Sequence, residues 1–87
     1  MHFLHQGLIT LVNSLVPEAA MRFMTSLRFI DVVAREGSIR KAADKLAITS
    51  TALNRRILQF EEEIGQPLFE RLPGGVRLNT AGEIFLQ

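Results

Sequence analysis

Three neighbouring side chains, Asn54, Arg55 and Arg56, have the chemistry needed to hydrogen-bond with nucleic-acid bases. A guanidinium presents a planar fork that matches guanine O6 and N7, and a carboxamide can pair with adenine in a similar bidentate way. The same groups also bind phosphate oxygens, which receive roughly half to two-thirds of protein–DNA hydrogen bonds. We therefore expect this segment to contact double-stranded DNA, through its bases or through its backbone.

Two short helices joined by a tight turn are expected to position these side chains. Ser38 and Thr49 each stand where a hydroxyl can cap the start of a helix. The first helix has an apolar inner face formed by Ile39, Ala42, Ala43 and Leu46. The second has an apolar stripe formed by Leu53, Ile57, Phe60 and Ile64. The pattern predicts a helix-turn-helix motif over residues 38–57, whose second helix, residues 49–64, is suited to a DNA major groove.

Charge is distributed unevenly along the chain. Residues 38–60 contain five basic residues and one acidic residue, a local net charge of +4, although the whole chain of 87 residues carries only +1. A basic segment of this kind favours phosphate binding more than the total charge suggests. Three consecutive glutamates, Glu61, Glu62 and Glu63, follow it and are expected to form a solvated rim.

One helix is expected before the motif and another near the end of the chain. The first should run from 25 to 35 and be capped by a hydroxyl residue at its start, Thr25 or Ser26. Gly37 follows it and can end the helix in a left-handed conformation. The later helix should begin near Asn79, capped by that residue or by a capping box formed by Thr80 and Glu83.

The residues between these helices predict a β-hairpin. Two short segments flank a run of turn formers at 72–75, so residues 68–78 should form a wing beside the helix-turn-helix motif. Arg71 and Arg77 would lie on its two arms, where each could meet a phosphate. Arg71 could instead pair with a neighbouring carboxylate, Glu70 or Glu36.

Several other functions are disfavoured. The chain has no cysteine, which excludes disulfides and thiolate–zinc sites, and its two histidines, His2 and His5, lack a third ligand. No metal or cofactor is expected. No nucleophile–base set or glycine-rich phosphate loop is present, so the chain is not expected to be an enzyme. Residues 1–20 are too interrupted for a membrane span and lack the basic start of a signal peptide.

From about Ser26 to Leu86 the chain resembles the N-terminal DNA-binding domain of bacterial LysR-type transcriptional regulators. The matching residues lie in four segments, at 27–34, 36–46, 52–71 and 76–82. Their order and spacing are more specific than any one segment alone. The resemblance implies a mainly α winged helix-turn-helix fold, with a three-helix core, a short β-hairpin wing and the start of a linker helix.

The resemblance also implies a domain organisation and partners. Residues 21–80 would form the DNA-binding domain, after a leader over residues 1–20 that is either an amphipathic helix or sequence upstream of a natural start at Met21 or Met24. Residues 79–87 would be the truncated start of a linker helix, through which two copies form a homodimer on an imperfect palindrome. The effector-sensing domain of the family is absent from this chain, and a cytoplasmic location is expected.

Carried over position by position, the resemblance assigns the DNA-facing residues. On the recognition helix they are Thr49, Ser50, Thr51, Asn54, Arg55 and Arg56. Outside it they are Ser38, Arg40, Lys41, Arg71 and Arg77. Ser50 and Thr51 replace the glutamine and proline common in the family, which points to a different base preference. Leu58 and Gln59 stand where the family often has basic residues.

An alternative function remains compatible with the sequence. A winged helix that has lost DNA affinity could serve as a protein–protein assembly module. The low net charge and the outward-facing Leu58 favour this alternative. The two functions differ in salt dependence, because DNA binding releases condensed counterions and weakens as salt rises.

Overall fold

The computed structural model describes residues 6–8, 10–11, 14 and 17–87. From residue 17 onward the elements are α1 (Glu18–Glu36), α2 (Ile39–Leu46), α3 (Ser50–Ile64), β1 (Phe69–Leu72), β2 (Gly75–Leu78) and α4 (Thr80–Phe85). His2 and His5 lie outside the described ranges, and the leader interpretation of residues 1–20 falls partly outside them. Within those ranges, no helix combines the length and apolar character needed to cross a bilayer.

Helix α1 begins seven residues before the predicted start at Thr25, so that prediction was wrong. Pro17 precedes the helix without a side-chain cap, and its carbonyl accepts a hydrogen bond from the Met21 N–H at 3.1 Å. Good helix-forming residues follow, and nothing at Thr25 interrupts them. The Thr25 hydroxyl instead donates to the Met21 carbonyl at 3.0 Å inside the helix. Gly37 ends α1 with φ 67°, as predicted.

Helices α2 and α3 are capped by the two hydroxyl residues that the sequence indicated. Ser38 Oγ accepts from the Lys41 N–H at 3.2 Å, and Thr49 Oγ1 accepts from the Ala52 N–H at 3.1 Å. Between the helices, Ala47 adopts a left-handed conformation with φ 57°, which lets the chain reverse within three residues. The turn is closed by the Ile48 N–H, which donates to the Ala43 carbonyl at 3.1 Å. The predicted helix-turn-helix motif is therefore present.

The core lies where α1, α2 and α3 meet beneath the hairpin. Its buried apolar residues are Ile30, Val33, Ala42, Ala43, Leu53, Ile57, Phe60, Leu68, Phe69 and Val76. The stripe predicted on α3 is buried at Leu53, Ile57 and Phe60, while Ile64 at its end is only half-buried. The buried alanines of α2 have short side chains, which allows the neighbouring helices to approach closely.

The hairpin is held against the helices by backbone contacts. Strands β1 and β2 pair antiparallel, with Phe69 opposite Leu78 and Leu72 opposite Gly75. The Val76 N–H donates to the Gly37 carbonyl at 3.0 Å. A Cβ at Gly75 would lie 2.2 Å from that same carbonyl oxygen, so this position requires glycine. The wing is therefore docked on the C-terminus of α1.

Asn79 links the end of the wing to α4. Its Oδ1 accepts from the Gly82 N–H at 2.8 Å, and its Nδ2 donates to the Pro67 carbonyl at 3.0 Å. Of the two caps that the sequence allowed, Asn79 is the one used, and Thr80 is the first helical residue.

We expect Ile57→Asp to unfold the domain, because Ile57 is 1% exposed and its replacement would bury an unpaired charge. Leu58→Asp is the matched control, since Leu58 is the next residue and is 50% exposed. Thermal unfolding followed by circular dichroism should show a normal transition for the control and none for Ile57→Asp. A cooperative transition near that of the wild type in Ile57→Asp would contradict the assigned core.

Candidate nucleic-acid interface

The outward face of α3 lies away from the buried apolar stripe formed by Leu53, Ile57 and Phe60. Thr49, Ser50, Thr51 and Arg55 are exposed, and Asn54 is half-buried. Side chains from this face, including those of Thr51, Asn54 and Arg55, line a shallow depression together with Leu58. Thr49 and Ser50, at the N-terminus of α3, are exposed, and a helix N-terminus favours anions through its backbone amides and helix dipole.

Helix α2 contributes two exposed cations at its start. Arg40 and Lys41 lie in its first turn, and both side chains are exposed. Lys45, in the last turn, is 2.8 Å from Glu36 Oε2 and forms an ion pair with it. Ser38 is half-buried, and its hydroxyl oxygen is occupied as the cap of α2. Arg40 and Lys41 are therefore the α2 side chains best placed for phosphate.

Arg56 is separated from its two predicted neighbours. Its guanidinium carbon lies 5.1 Å from the ring centroid of Phe29 on α1, and the side chain is half-buried. A guanidinium over an aromatic face is held by attraction to the ring, at about 0.5–1 kcal/mol where the site is exposed. The structure thus brings Asn54 and Arg55 to the outer face of α3 and turns Arg56 toward α1.

The two wing arginines have different partners. Arg77 Nε is 2.6 Å from Glu70 Oε2, and the two residues face each other across the hairpin. Arg71 Nη1 donates to Asn54 Oδ1 at 2.7 Å, so it binds neither of the glutamates considered from the sequence. An exposed ion pair contributes only about 0–1 kcal/mol of stability. Glu70 therefore competes only weakly with a phosphate for Arg77.

Glu61 has a role that the sequence did not suggest. Its carboxylate is buried and accepts from the backbone N–H groups of Leu68 at 2.6 Å and Phe69 at 3.2 Å. The expected solvated rim is therefore wrong for Glu61, while Glu62 and Glu63 are exposed. The missed signal is the spacing, because Glu61 lies four residues after the buried Ile57 and so on the same side of the helix.

No cluster of metal-ligating side chains occurs in the part of the chain that the structure describes. The outer face instead combines backbone amides, an amide side chain and guanidinium groups. Such donors match phosphate oxygens and the acceptor atoms of base edges. Chemically, the arrangement suits reversible binding of a polyanion.

Comparison with known proteins identifies the family to which this chain is similar. The model described as bacterial regulatory helix-turn-helix protein, lysR family, matches residues 24–83. The HTH-type transcriptional regulator BudR of Klebsiella aerogenes is 46% identical over 61 residues, which cover 70% of this chain and 43% of BudR. The HTH-type transcriptional regulator ClcR of Pseudomonas putida is 43% identical over 61 residues, covering 70% of this chain and 21% of ClcR. The chain thus spans less than half the length of these relatives.

Solved structures agree with this result. A crystal structure of the BenM DBD in complex with benA site 1 DNA has a TM-score of 0.69 and 41% identity, covering 72% of this chain and 71% of that one. The CbnR DBD–DNA complex has a TM-score of 0.69 and 31% identity, covering 71% of both chains. The chain belongs to the lysR family of bacterial regulatory helix-turn-helix proteins. The predicted resemblance and winged helix-turn-helix fold are confirmed.

Glu61→Ala should destabilise the domain, because it leaves the backbone N–H groups of Leu68 and Phe69 without their acceptor. A buried donor that loses its partner costs about 1–3 kcal/mol. Glu62→Ala, at the exposed neighbouring position, is the control and should change stability by no more than about 0.5 kcal/mol. Chemical denaturation measures both, and equal midpoints for the two variants would contradict the role assigned to Glu61.

Proposed function

We propose that this chain binds double-stranded DNA sequence-specifically as the DNA-binding part of a transcription regulator. One observation carries the proposal: α3 buries Leu53, Ile57 and Phe60 while its opposite face presents Asn54 and Arg55. A helix so anchored can enter a major groove without loss of core contacts. The DNA complexes among its structural neighbours support the same function.

Different parts of the surface serve different contacts in this proposal. Asn54 and Arg55 face base edges, and Ser50 and Thr51 adjust the preference of the same segment. Phosphates are contacted by the N-terminus of α3, at Thr49. They are also contacted by the N-terminus of α2, through Ser38, Arg40 and Lys41. Arg77 reaches the backbone from the wing, and Arg71 contacts DNA beside Asn54, to which it is hydrogen-bonded. Arg56 orients α3 against Phe29 instead of reading a base, since its guanidinium lies over that ring.

The whole protein is proposed to act as a homodimer in the bacterial cytoplasm. The DNA-binding domain would span residues 21–80, and the helix beginning near Asn79 would pair with its counterpart. Ile84 on this helix is 64% exposed, which leaves an apolar side chain for a partner helix. Two recognition helices would then enter successive major grooves of an imperfect palindrome.

Selection of duplexes from a random pool should yield a defined half-site for the wild-type chain. Asn54→Ala combined with Arg55→Ala should abolish discrimination between this site and random DNA while the fold stays intact, because bidentate base contacts supply about 1–3 kcal/mol each. Gln59→Ala, one turn further along the exposed face, should select the wild-type half-site. Unchanged selectivity in the double variant would refute the roles of Asn54 and Arg55.

Affinity for a mixed-sequence duplex should fall linearly with salt on a log–log plot. Lys41→Ala should make the slope about one unit shallower, because one phosphate contact is lost. Lys45→Ala is the matched control on the same helix and should keep the wild-type slope, since Lys45 lies in the last turn of α2, away from the first-turn cations, and is paired with Glu36. A flat salt response, or no binding to any duplex, would instead favour a protein–protein assembly module.

A further inference from the structure

The hydrogen bond between Arg71 and Asn54 joins the wing to the recognition helix. It connects residues 17 positions apart in the sequence, and its length of 2.7 Å is that of a charge-assisted bond. Asn54 is half-buried and Arg71 is exposed, so both lie at the edge of the surface proposed to meet DNA. Nothing in the core requires this bond, because neither side chain belongs to the buried cluster.

Nearby carboxylates do not compete for Arg71 in the structure. Glu70 is held by Arg77 at 2.6 Å, directly across the hairpin. Glu36 is held by Lys45 at 2.8 Å. With both glutamates engaged, the guanidinium of Arg71 binds the neutral amide of Asn54 instead.

The chemistry of the pair fixes the orientation of the amide. A guanidinium has five N–H donors and no acceptor, so the Asn54 atom facing it must be the carbonyl oxygen. The amide NH₂ is then the end of the side chain that remains for another partner. Bidentate pairing with adenine needs the same oxygen to accept from the adenine N6 amino group. That amino group would have to share the oxygen with Arg71 and use its second lone pair beside a positively charged donor.

We propose that Arg71 is a positioning residue that sets the base preference of Asn54, turning it from adenine to guanine. This inference rests on the proposed function. The Asn54 NH₂ takes no part in this bond and supplies two donors, whereas the Asn54 oxygen already accepts from a cation. Guanine presents two acceptors there, O6 and N7, whereas adenine presents one acceptor and one donor. The proposed preference is the opposite of the one expected from Asn54 alone, which is pairing with adenine.

The test is selection from a random duplex pool followed by affinity measurements with the wild type and four variants: Asn54→Ala, Arg71→Ala, Arg71→Lys and Arg40→Ala. Loss of preference in Asn54→Ala identifies the base position that Asn54 reads. At that position the wild type should prefer G·C over A·T by about tenfold. Arg71→Ala should reduce this ratio to about one or invert it, while Arg71→Lys, which keeps a cationic donor, should retain most of it.

Arg40→Ala is the control, since Arg40 is an exposed arginine in the first turn of α2 that is proposed to meet a phosphate, and the partner of Asn54 is Arg71. It should lower affinity without changing the G·C preference. The double variant Asn54→Ala/Arg71→Ala should show no further change in base preference beyond Asn54→Ala alone. Melting temperatures of all variants confirm that each remains folded.

Three results would overturn the inference. Arg71→Ala could weaken binding equally at every base position, as expected for a simple phosphate contact. Wild-type preference for adenine at the Asn54 position would contradict the proposed orientation. Asn54→Ala could leave every position unchanged. In each case a defined wild-type half-site would leave the proposed function standing, whereas failure to select any half-site would reject the proposed function itself.

Discussion

The packing of α3 against the other two core helices is the constraint on which the rest of the structure depends. Leu53, Ile57 and Phe60 are each 3% exposed or less, and they occupy one side of the helix. Because successive residues are separated by about 100° around a helix, burial of this side turns Asn54 and Arg55 outward. The three side chains that stabilise the domain therefore also set the orientation of Asn54 and Arg55, the candidate DNA contacts. Loss of that packing would remove the fold and the interface together.

Ion pairing distinguishes the cations of the chain by how readily they can bind a polyanion. Ion pairs engage Arg35, Lys45 and Arg77 in the described part of the chain. Among the basic residues at positions 38–60, Lys45 forms an ion pair with Glu36. Arg40, Lys41 and Arg55 are exposed. A chain with a total charge of only +1 can thus still present a basic surface where its helix-turn-helix motif begins.

The wing and the recognition helix form one mechanical unit. Glu61 near the end of α3 holds the first two amides of the segment that becomes β1, and Gly75 lies against the carbonyl of Gly37. The bond from Arg71 to Asn54 adds a contact between the outer faces of the two elements. These contacts join the hairpin to the C-terminus of α1 and to two positions on α3, Asn54 near its start and Glu61 near its end. A shift of the wing would consequently change the positions of side chains on the recognition helix.

The sequence by itself determined the local features. Apolar spacing, the hydroxyl caps at Ser38 and Thr49 and the turn residues of the hairpin act within a few residues, so the helix-turn-helix motif, the wing and the buried stripe could all be predicted. The start of α1 could not, because several residues before Thr25 are equally compatible with a helix. Tertiary structure alone decided which groups meet: Arg56 with Phe29, Arg77 with Glu70, Arg71 with Asn54, and Glu61 with the backbone amides of Leu68 and Phe69. Such pairings depend on how the elements are oriented in space, and distance along the chain does not encode them.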